Sequence, residues 1–505
     1  MKHDIDKRFP FARLTLITLA ALAIHGYHLG VEDGEIYIPA VRKLLHPNLY
    51  PYATEFFLSH ERLSLFAPIV AWSARIAHLS VDWSAFLWYV VTLFATFAGC
   101  WLLAATCFRS ARARWSSVLV IAAVITMPAT NTSLLLVDPY ITARSFSTPL
   151  TLFALVAFLK RRFALCALLT VVTAAIHPQM AAYLVFLAVV MWIADRRHKR
   201  TARPAVNAPA AAALALPIGF HLGPALEPYR EALYARDFYF LSTWTWYHWL
   251  GMLAPLAFLA WFSRGRLRNT TPEFARLSFA LIPFGLVSIA AGAIIGSSHQ
   301  FDMFARLQPL RCFHLITLVF ILFLAGIIGE YAAERRTWVI PALCIPLAAG
   351  MFFTQRATNP NSPHIEWPGR TTSTNDWVNV LLWIRHNTPT NAVFAVDSRY
   401  FLVPGVDVHG FRALSGRSAL ADYFKDGGAV AIFPALAPEW KQMTNATYGL
   451  NHFTEPNFVL LARKYPVAWT VIHGPAPTGM DCPYQQRGYT VCRIPAPPAV
   501  NSQGE

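Results

Sequence analysis

The stretch Phe86–Phe108 reads FLWYVVTLFATFAGCWLLAATCF without a single charged side chain, and the next six residues read RSARAR. A helix needs about 20 consecutive apolar residues to cross the hydrocarbon core of a bilayer. Basic residues that directly follow such a segment mark the cytoplasmic side of the membrane. This stretch therefore predicts a transmembrane helix that ends in the cytoplasm.

Similar apolar stretches recur up to about residue 353 and define the fold class. Of the 505 residues, 55% are hydrophobic and 14% are charged, whereas about a quarter are charged in a typical soluble domain. We predict an α-helical polytopic membrane protein of about 11 transmembrane helices, followed by a small C-terminal α/β domain. The predicted spans are 12–29, 84–108, 115–133, 146–159, 163–176, 179–194, 206–222, 248–262, 275–296, 312–329 and 337–353.

The net charge of +15 is concentrated in the membrane half. Lys and Arg outnumber Asp and Glu by 30 to 17 through residue 353, but only by 12 to 10 after it. The excess lies in short loops between apolar stretches, so the pI of about 9.7 requires no nucleic acid as a partner. Placing these loops in the cytoplasm puts the N-terminus there as well. Residues 354–505 then lie on the periplasmic or extracellular side of the inner (plasma) membrane.

The apolar stretch Leu63–Leu79 is expected to lie along the outer membrane surface. Counted as a span, it would move the basic cluster Arg109–Arg114 to the exoplasmic side and invert every later loop. We therefore place it within a first exoplasmic loop, residues 30–83. The expected domains are a transmembrane domain, residues 1–353 with this loop, and an exoplasmic α/β domain, residues 354–505.

In the C-terminal domain, short buried strands alternate with helical patterns. Apolar spacing predicts a helix over 376–386 and another over 457–464, and β-type runs predict strands over 393–396 and 468–472. The domain has no nucleotide fingerprint, P-loop or nucleophile elbow, so a structural or substrate-gripping lid is expected. Cys482 and Cys492 lie in it, in a compartment that permits disulfides, and we predict that they pair.

The first exoplasmic loop begins with three acidic residues, Glu32, Asp33 and Glu35, followed by Tyr37. Glu32 and Asp33 are candidate catalytic residues, and Glu35 and Tyr37 are candidate substrate contacts. At the boundary of water and lipid, one carboxylate can act as general base for a hydroxyl while its neighbour binds a cation or tunes its pKa. The alternative is that Asp33 caps the helix containing Tyr37. Capping needs one carboxylate and here there are three, which favours a functional role.

Asp138 is a further candidate, because it is the only acidic residue between Asp82 and Asp195 in the sequence. By the charge-based topology it faces the same side as Asp33, so it is a third candidate catalytic residue. Arg144 follows six residues later as a candidate substrate contact. The alternative is that the two residues form a local ion pair that closes a loop.

Arg306 and Arg311 are candidate phosphate-binding residues, because exoplasmic arginines are few in this chain and a guanidinium binds phosphate through two parallel hydrogen bonds. The alternative is that they extend from a helix end to the membrane surface. His177, beside Pro178, is a weaker candidate for a substrate contact, the alternative being a hydrogen-bonded histidine at a helix end.

In the order of its helices, its acidic first loop and its exported C-terminal domain, the chain resembles the GT-C superfamily of membrane glycosyltransferases. These enzymes use polyprenyl-phosphate-linked sugars. The resemblance covers about residues 12–500, from the first helix and its long acidic loop to the exported C-terminal domain. Glu32-Asp33 matches the acidic motif of the first loop, which implies a catalytic base there, and Asp138 corresponds to a second-loop carboxylate. The WWD-type motif of oligosaccharyltransferases is absent, so neither donor sugar nor acceptor is implied. The chain is also similar to uncharacterised bacterial membrane proteins of this build.

The expected function is therefore transfer of a sugar from a polyprenyl-phosphate carrier to an exoplasmic acceptor, a lipid, glycan or protein, with Asp33 as general base. Glu32 and Asp138 are the candidate ligands if a divalent cation such as Mg²⁺ or Mn²⁺ takes part. Other functions remain open: a polysaccharide polymerase or ligase using the same donors, a transporter, or a non-catalytic membrane scaffold. Transporters tend to carry internal repeats and ionisable residues at mid-membrane, and neither feature is evident here.

Overall fold

The computed structural model describes residues 9–198, 222–265, 267–334 and 336–496. The chain divides into two compact units. The first, here called the helical unit, comprises Met1–Tyr27, Leu87–Ala225 and Arg236–Arg356. The second, here called the sheet unit, comprises His28–Phe86, Leu226–Ala235 and Ala357–Glu505. The sheet unit thus combines the first loop with the C-terminal residues, whereas the sequence assigned that loop to the transmembrane domain.

Most of the described chain is α-helical. The first helices are α1 (Phe11–His25), α2 (Gly34–Leu45), α3 (Glu55–Glu61), α4 (Phe66–Ile76), α5 (Val81–Cys107), α6 (Ala111–Val124), α7 (Ala143–Leu159), α8 (Phe163–Ile176) and α9 (Pro178–His198). The later ones are α10 (Tyr229–Tyr234), α11 (Trp246–Arg264), α12 (Pro272–Ser297), α13 (Phe313–Tyr331), α14 (Val339–Thr358), α15 (Asp376–Asn387), α16 (Phe411–Ser415), α17 (Lys425–Ile432), α18 (Ala437–Ala446) and α19 (Glu455–Lys464).

The described residues include five helices long and apolar enough to cross a membrane, and shorter apolar helices lie between them. The chain is therefore an α-helical membrane protein with a small C-terminal sheet. The five are Val81–Cys107, Pro178–Asp195, Pro272–Ser297, His299–Tyr331 and Val339–Thr358. The fourth comprises two short 3₁₀ segments, His299–Leu307 and Pro309–Cys312, followed by α13.

Each predicted span that falls on described residues overlaps a helix, and the span predicted at 206–222 lies almost wholly outside them. The span predicted at 115–133 ends early, at Val124. Pro128 lies just beyond, and a proline disfavours helical geometry in the residue before it.

Small residues bring α6 and α13 close together in the helical unit. A Cβ on Gly326 would overlap the ring of Phe108 and the hydroxyl of Ser117. Ser117 Oγ in turn donates to the Leu322 carbonyl at 2.8 Å. Close approach through glycine and serine, with a hydroxyl bonding across the interface, is the usual way in which membrane helices pack.

The described part of the sheet unit holds a five-stranded sheet of order β2-β1-β3-β5-β4. Its strands are β1 (Val393–Val396), β2 (Ser418–Ala419), β3 (Trp469–His473), β4 (Tyr484–Gln486) and β5 (Tyr489–Arg493). β1 runs parallel to both β2 and β3, and β5 runs antiparallel to β3 and β4. The predicted strands correspond to β1 and β3, and the predicted helices correspond to α15 and α19.

The sheet unit is stabilised by an apolar face of α15 and by a cross-link. Asn375 caps α15 by accepting the N–H of Val378 at 3.2 Å, and Val380, Leu381 and Ile384 of the helix are buried. Cys482, which precedes β4, and Cys492, which lies in β5, form a disulfide, and this is the pairing that the sequence predicted.

Residues Leu63–Leu79 contain α4, which has an apolar side chain on every face. Phe66, Val70 and Ala74 are buried within the sheet unit. Trp72 and Ile76, by contrast, are 68% and 58% exposed. With 11 residues the helix is too short to cross a bilayer.

Candidate active site in the first loop

The backbone of the first loop is held by the segment before α16. Val31 forms an antiparallel bridge with His409, and the Glu32 N–H donates to the Val408 carbonyl at 3.0 Å. Glu32 has a φ of 53°, a left-handed conformation that costs energy in a residue with a side chain. Strain of this kind concentrates at functional sites, so the turn that carries Glu32 and Asp33 is a candidate site.

Lys425, the first residue of α17, pairs with both carboxylates of this turn. Its ammonium contacts Glu32 Oε2 and lies 3.1 Å from Asp33 Oδ1. Burial by itself would lower the pKa of Lys425, but the charges of Asp33 and Glu32 outweigh that effect and raise it. The lysine is therefore cationic at neutral pH and is held by both carboxylates of the turn.

Asp33 occupies the N-cap position of α2, but its side chain makes no capping hydrogen bond. Its carboxylate contacts Lys425 instead. The capping role considered for this residue therefore does not account for its side chain, whereas an electrostatic role does.

Glu35 is directed to a different, fully buried cluster. Its carboxylate accepts the backbone N–H groups of Arg412 and Ala413, at 3.0 and 2.9 Å, and the Arg412 Nε at 2.7 Å. It thereby satisfies donors at the beginning of α16. Gly410 makes this approach possible, because a Cβ there would overlap the Glu35 carboxylate.

Arg412 connects Glu35 to two further carboxylates. Its Nη2 lies 2.5 Å from Asp426 Oδ1 and 3.4 Å from Asp422 Oδ2. Its side chain also lies over the ring of Phe57, with 5.8 Å between the guanidinium carbon and the ring centre. This cluster, here called the inner cluster (Glu35, Arg412, Asp422 and Asp426), ties the first loop to the C-terminal residues.

The inner cluster contains three carboxylates for one guanidinium, so it tends to retain a proton. Burial raises the pKa of Asp422 well above its ordinary value, and the neighbouring Asp426 adds to the effect. Burial also raises the pKa of Glu35, against the opposing charge of Arg412. Burial and the surplus of carboxylates thus both favour the protonated form of Asp422.

The acidic residues of the first loop differ in how far their side chains are exposed to solvent. The side chains of Glu32 and Asp33 are 35% and 29% exposed, whereas that of Glu35 is 1% exposed. A base has to reach its substrate, so Glu32 and Asp33 are the candidates for chemistry. Glu35, proposed from the sequence as a substrate contact, has a structural role.

The expected metal ligands lie beside cationic side chains. Glu32 contacts Lys425, and Asp138 contacts Arg144. Among the residues that the structure describes, no group of three or more His, Cys, Asp or Glu side chains could hold a metal ion. Both expected ligands are thus paired with cationic side chains in the structure.

Asp138 and Arg144 form the local ion pair considered as the alternative. Arg144 Nη2 lies 2.8 Å from Asp138 Oδ2, and both side chains are buried in the helical unit. Thr142 contributes a longer contact of 3.4 Å to the same oxygen. The pair bridges the segment before α7 to the first turn of that helix.

The two candidate arginines of the helical unit lie in the 3₁₀ segments between α12 and α13. Arg306 is 8% exposed, and its Nε donates to the Met303 carbonyl at 3.1 Å. Arg311 lies over the ring of Phe238, 5.2 Å from its centre. His314, one turn after Arg311, bonds the Leu136 carbonyl at 2.9 Å, so this segment is close to the one that precedes Asp138.

The remaining candidates have local roles in their elements. His177 follows the last residue of α8, and its N–H donates to the Thr173 carbonyl at 2.7 Å. Tyr37 is buried on α2, with its ring edge-on to that of Phe66 at 5.0 Å. The predicted residues thus form two groups, with Glu32, Asp33, Glu35 and Tyr37 in the sheet unit. Asp138, Arg144, His177, Arg306 and Arg311 belong to the helical unit.

A second buried ion pair connects the start of the loop to the C-terminal residues. His409 Nε2 lies 3.0 Å from both carboxylate oxygens of Glu366, and His28 Nδ1 lies 3.5 Å from one of them. Burial favours the neutral acid, but the charge of His409 prevails and lowers the pKa of Glu366 to about 2. The pKa of His409 is raised, because the charge of Glu366 outweighs the effect of burial.

The sequence did not identify the cationic partners of the first loop. Arg412 and Lys425 lie 377 and 393 residues from Glu35 and Glu32. One local signal existed: Asp422, Lys425 and Asp426 are closely spaced charges within the otherwise apolar segment 418–433. Charges at such spacing in a buried segment indicate partners elsewhere in the fold.

Among known proteins, no family model matches this chain and no curated protein is similar to it. The site geometry therefore supplies the basis for a functional proposal.

Proposed function

We propose that this protein is a membrane glycosyltransferase of the GT-C type. It moves a sugar from a polyprenyl-phosphate carrier to an acceptor hydroxyl on the exoplasmic side of the membrane. Asp33 is the general base.

The observation that carries the proposal is the accessible carboxylate pair on the strained turn before α2. Glu32 and Asp33 are about one-third exposed, and both contact the ammonium of Lys425. A general base must be ionised, oriented and within reach of its substrate. Lys425 fixes the orientation of both carboxylates, and their partial exposure leaves room for an acceptor.

The reaction needs a base for the acceptor hydroxyl and positive charge beside the phosphate that leaves. Asp33 takes the proton of the acceptor hydroxyl as its oxygen bonds to the anomeric carbon of the sugar. The bond from that carbon to the phosphate oxygen breaks, and the electron pair leaves with the polyprenyl phosphate. A guanidinium stabilises developing negative charge on oxygen, and Arg306 and Arg311 are the arginines that the sequence suggests for this role.

The topology that goes with this proposal has about 11 transmembrane helices in the inner membrane. The N-terminus lies in the cytoplasm, and the sheet unit lies outside. The basic clusters that follow α5 and α7 support this orientation. The exposed apolar side chains of α4, Trp72 among them, support a contact of that helix with the membrane surface.

A non-catalytic scaffold is the second candidate, and one observation favours it. Lys425 is buried and holds Glu32 and Asp33 in place, as it would in a purely structural ion pair. A polysaccharide polymerase or ligase would use the same donors and the same base.

The test is sugar transfer by the purified protein in nanodiscs. The probes are a set of polyprenyl-phosphate monosaccharides with radiolabelled sugars, and the acceptors are lipids and glycans extracted from the host membrane. We expect Asp33→Asn to reduce transfer by about 100-fold or more, the usual contribution of a general base. Glu55→Gln is the matched control, because Glu55 is an exposed carboxylate of the same loop that pairs with Arg62.

Folding is measured on the same samples by size-exclusion chromatography and thermal unfolding. Retained folding with lost transfer in Asp33→Asn, but not in Glu55→Gln, supports the base. Full transfer by Asp33→Asn refutes that role. No transfer by the unmodified protein from any probe favours the scaffold.

A further inference from the structure

Asp82, the second residue of α5, is bound by two arginines from other helices of the sheet unit. Arg42 Nη2, from α2, donates to Asp82 Oδ1 at 2.7 Å, and Arg385 Nη1, from α15, donates to Asp82 Oδ2 at 3.1 Å. The two guanidinium groups thus share a single carboxylate. These three residues, here called the arginine cluster, carry one positive charge in excess.

A further arginine adds to this excess. Arg417 Nη2 donates to the Arg385 carbonyl at 2.7 Å, and Arg417 Nε donates to Thr388 Oγ1 at 3.0 Å. Both acceptors are neutral, so they leave its charge uncompensated. Burial lowers the pKa of Arg385, and the charge of Arg42 lowers it further. Positive charge that is withdrawn from water in this way is costly unless an anion lies beside it.

The arginine cluster also has hydrogen-bond donors to spare. Arg42 Nε and Arg385 Nη2 are buried, and neither forms a hydrogen bond within the part of the chain that the structure describes. Buried polar groups normally have a partner. The side chains of Arg42 and Arg385 are 11% and 19% exposed, so the cluster reaches the surface of the unit and is open to a ligand from outside.

The cluster lies where α5 enters its apolar stretch. This stretch begins at Phe86, about one helical turn after Asp82. The ring of Phe86 lies between two tryptophans, with its centre 6.1 Å from that of Trp83 and 5.3 Å from that of Trp367. Both tryptophans are partly exposed, at 38% and 44%. Tryptophan is enriched at the depth of the lipid headgroups, so this end of α5 is expected at that depth.

We infer that Arg42 and Arg385 form a binding site for a phosphate group, and that the headgroup of a membrane lipid supplies it. A guanidinium pairs with carboxylate and phosphate oxygens in the same geometry. Two arginines that already bridge the oxygens of Asp82 can therefore hold a second oxyanion through their remaining N–H groups. Phosphate is the oxyanion present at headgroup depth. The site is separate from Arg306 and Arg311 of the helical unit and does not depend on the transferase proposal.

The test is lipid binding to the full chain in dodecyl maltoside micelles, which carry neither charge nor phosphate, measured by native mass spectrometry. The probes are dioctanoyl phosphatidic acid, dioctanoylglycerol, which has the same tails without the phosphate, and inorganic phosphate. We expect only phosphatidic acid to bind saturably at micromolar concentration. Arg42→Gln and Arg385→Gln should each weaken its binding about tenfold or more, the effect of losing hydrogen bonds to a charged group.

Arg487→Gln is the matched control, because Arg487 is a 62% exposed arginine of the same unit that pairs with Asp376. It removes the same charge and should leave binding unchanged. Arg42→Lys keeps a positive charge beside Asp82 but lacks the parallel N–H groups, so it should fold and still bind more weakly. Equal binding of phosphatidic acid and dioctanoylglycerol, or unchanged affinity in all three cluster variants, overturns the inference. Displacement of the lipid by an equal concentration of inorganic phosphate overturns the lipid as its source.

Discussion

Replacing Arg412 by Met should strongly destabilise the sheet unit. The arginine side chain is 2% exposed and pairs with Glu35 at 2.7 Å and Asp426 at 2.5 Å. Methionine fills a similar volume but leaves these carboxylates without their guanidinium. The perturbation therefore isolates the charge of the inner cluster from its packing.

The magnitude follows from the burial of the cluster. Removing one partner of a buried ion pair costs about 3–5 kcal/mol, because the remaining charge is left uncompensated. For a unit of about 200 residues, that corresponds to a fall in Tm of about 10 °C. Arg493→Met is the control, because Arg493 is 62% exposed and pairs with Asp481 at the surface. Exposed pairs contribute about 0–1 kcal/mol.

The effect should grow with pH. The folded-state pKa of Glu35 is already raised by burial, and loss of Arg412 raises it further. A carboxyl group that keeps its proton in the folded protein and loses it in the unfolded chain stabilises the unfolded state as pH rises. Arg412→Met should therefore be least harmful below pH 4.5, the ordinary pKa of Glu35, and increasingly harmful as pH rises above it.

The assay is thermal unfolding of the purified protein in nanodiscs, followed by intrinsic fluorescence at several pH values. The double variant Arg412→Met/Glu35→Gln should recover part of the loss, because the glutamine removes one buried charge and keeps an oxygen acceptor for α16. A loss below about 1 kcal/mol in Arg412→Met, equal to that of the surface control, would refute this account of the inner cluster.

Three further predictions concern topology, packing and pH. Reporter fusions at Arg162 and Asn359 should read cytoplasmic and exoplasmic respectively, and the reverse pattern would contradict the charge-based orientation. Gly410→Ala should destabilise the protein by about 1–3 kcal/mol in thermal unfolding, because the added Cβ overlaps a buried carboxylate; an unchanged Tm would mean that the loop shifts freely. The Glu366–His409 pair should stabilise the fold by roughly 3 kcal/mol near neutral pH. The stability contributed by Glu366 should fade as pH falls from 4.5 towards 2, and that contributed by His409 should fade as pH rises through its raised pKa. Glu366→Gln should therefore remove the loss of stability at acid pH. An unaltered pH profile of unfolding in that variant would argue against the pair.

The sequence by itself determined the helical membrane class, because apolar length and charge are local properties of the chain. It also predicted α15, β1, β3 and α19, whose apolar spacing is local. It missed β2, since two residues are too few to show any periodicity.

Only the tertiary structure assigned partners to the acidic residues of the first loop. The sequence singled out Glu32, Asp33 and Glu35 as one acidic group, but the fold separates them. Two remain accessible beside Lys425, and the third is buried against Arg412. Residues nearly 400 positions apart leave no periodic pattern in the chain, and the two cations reach the loop only because α16 and α17 pack against it. Which acid is accessible to a substrate and which is structural is therefore decided by burial, a property that local spacing does not encode.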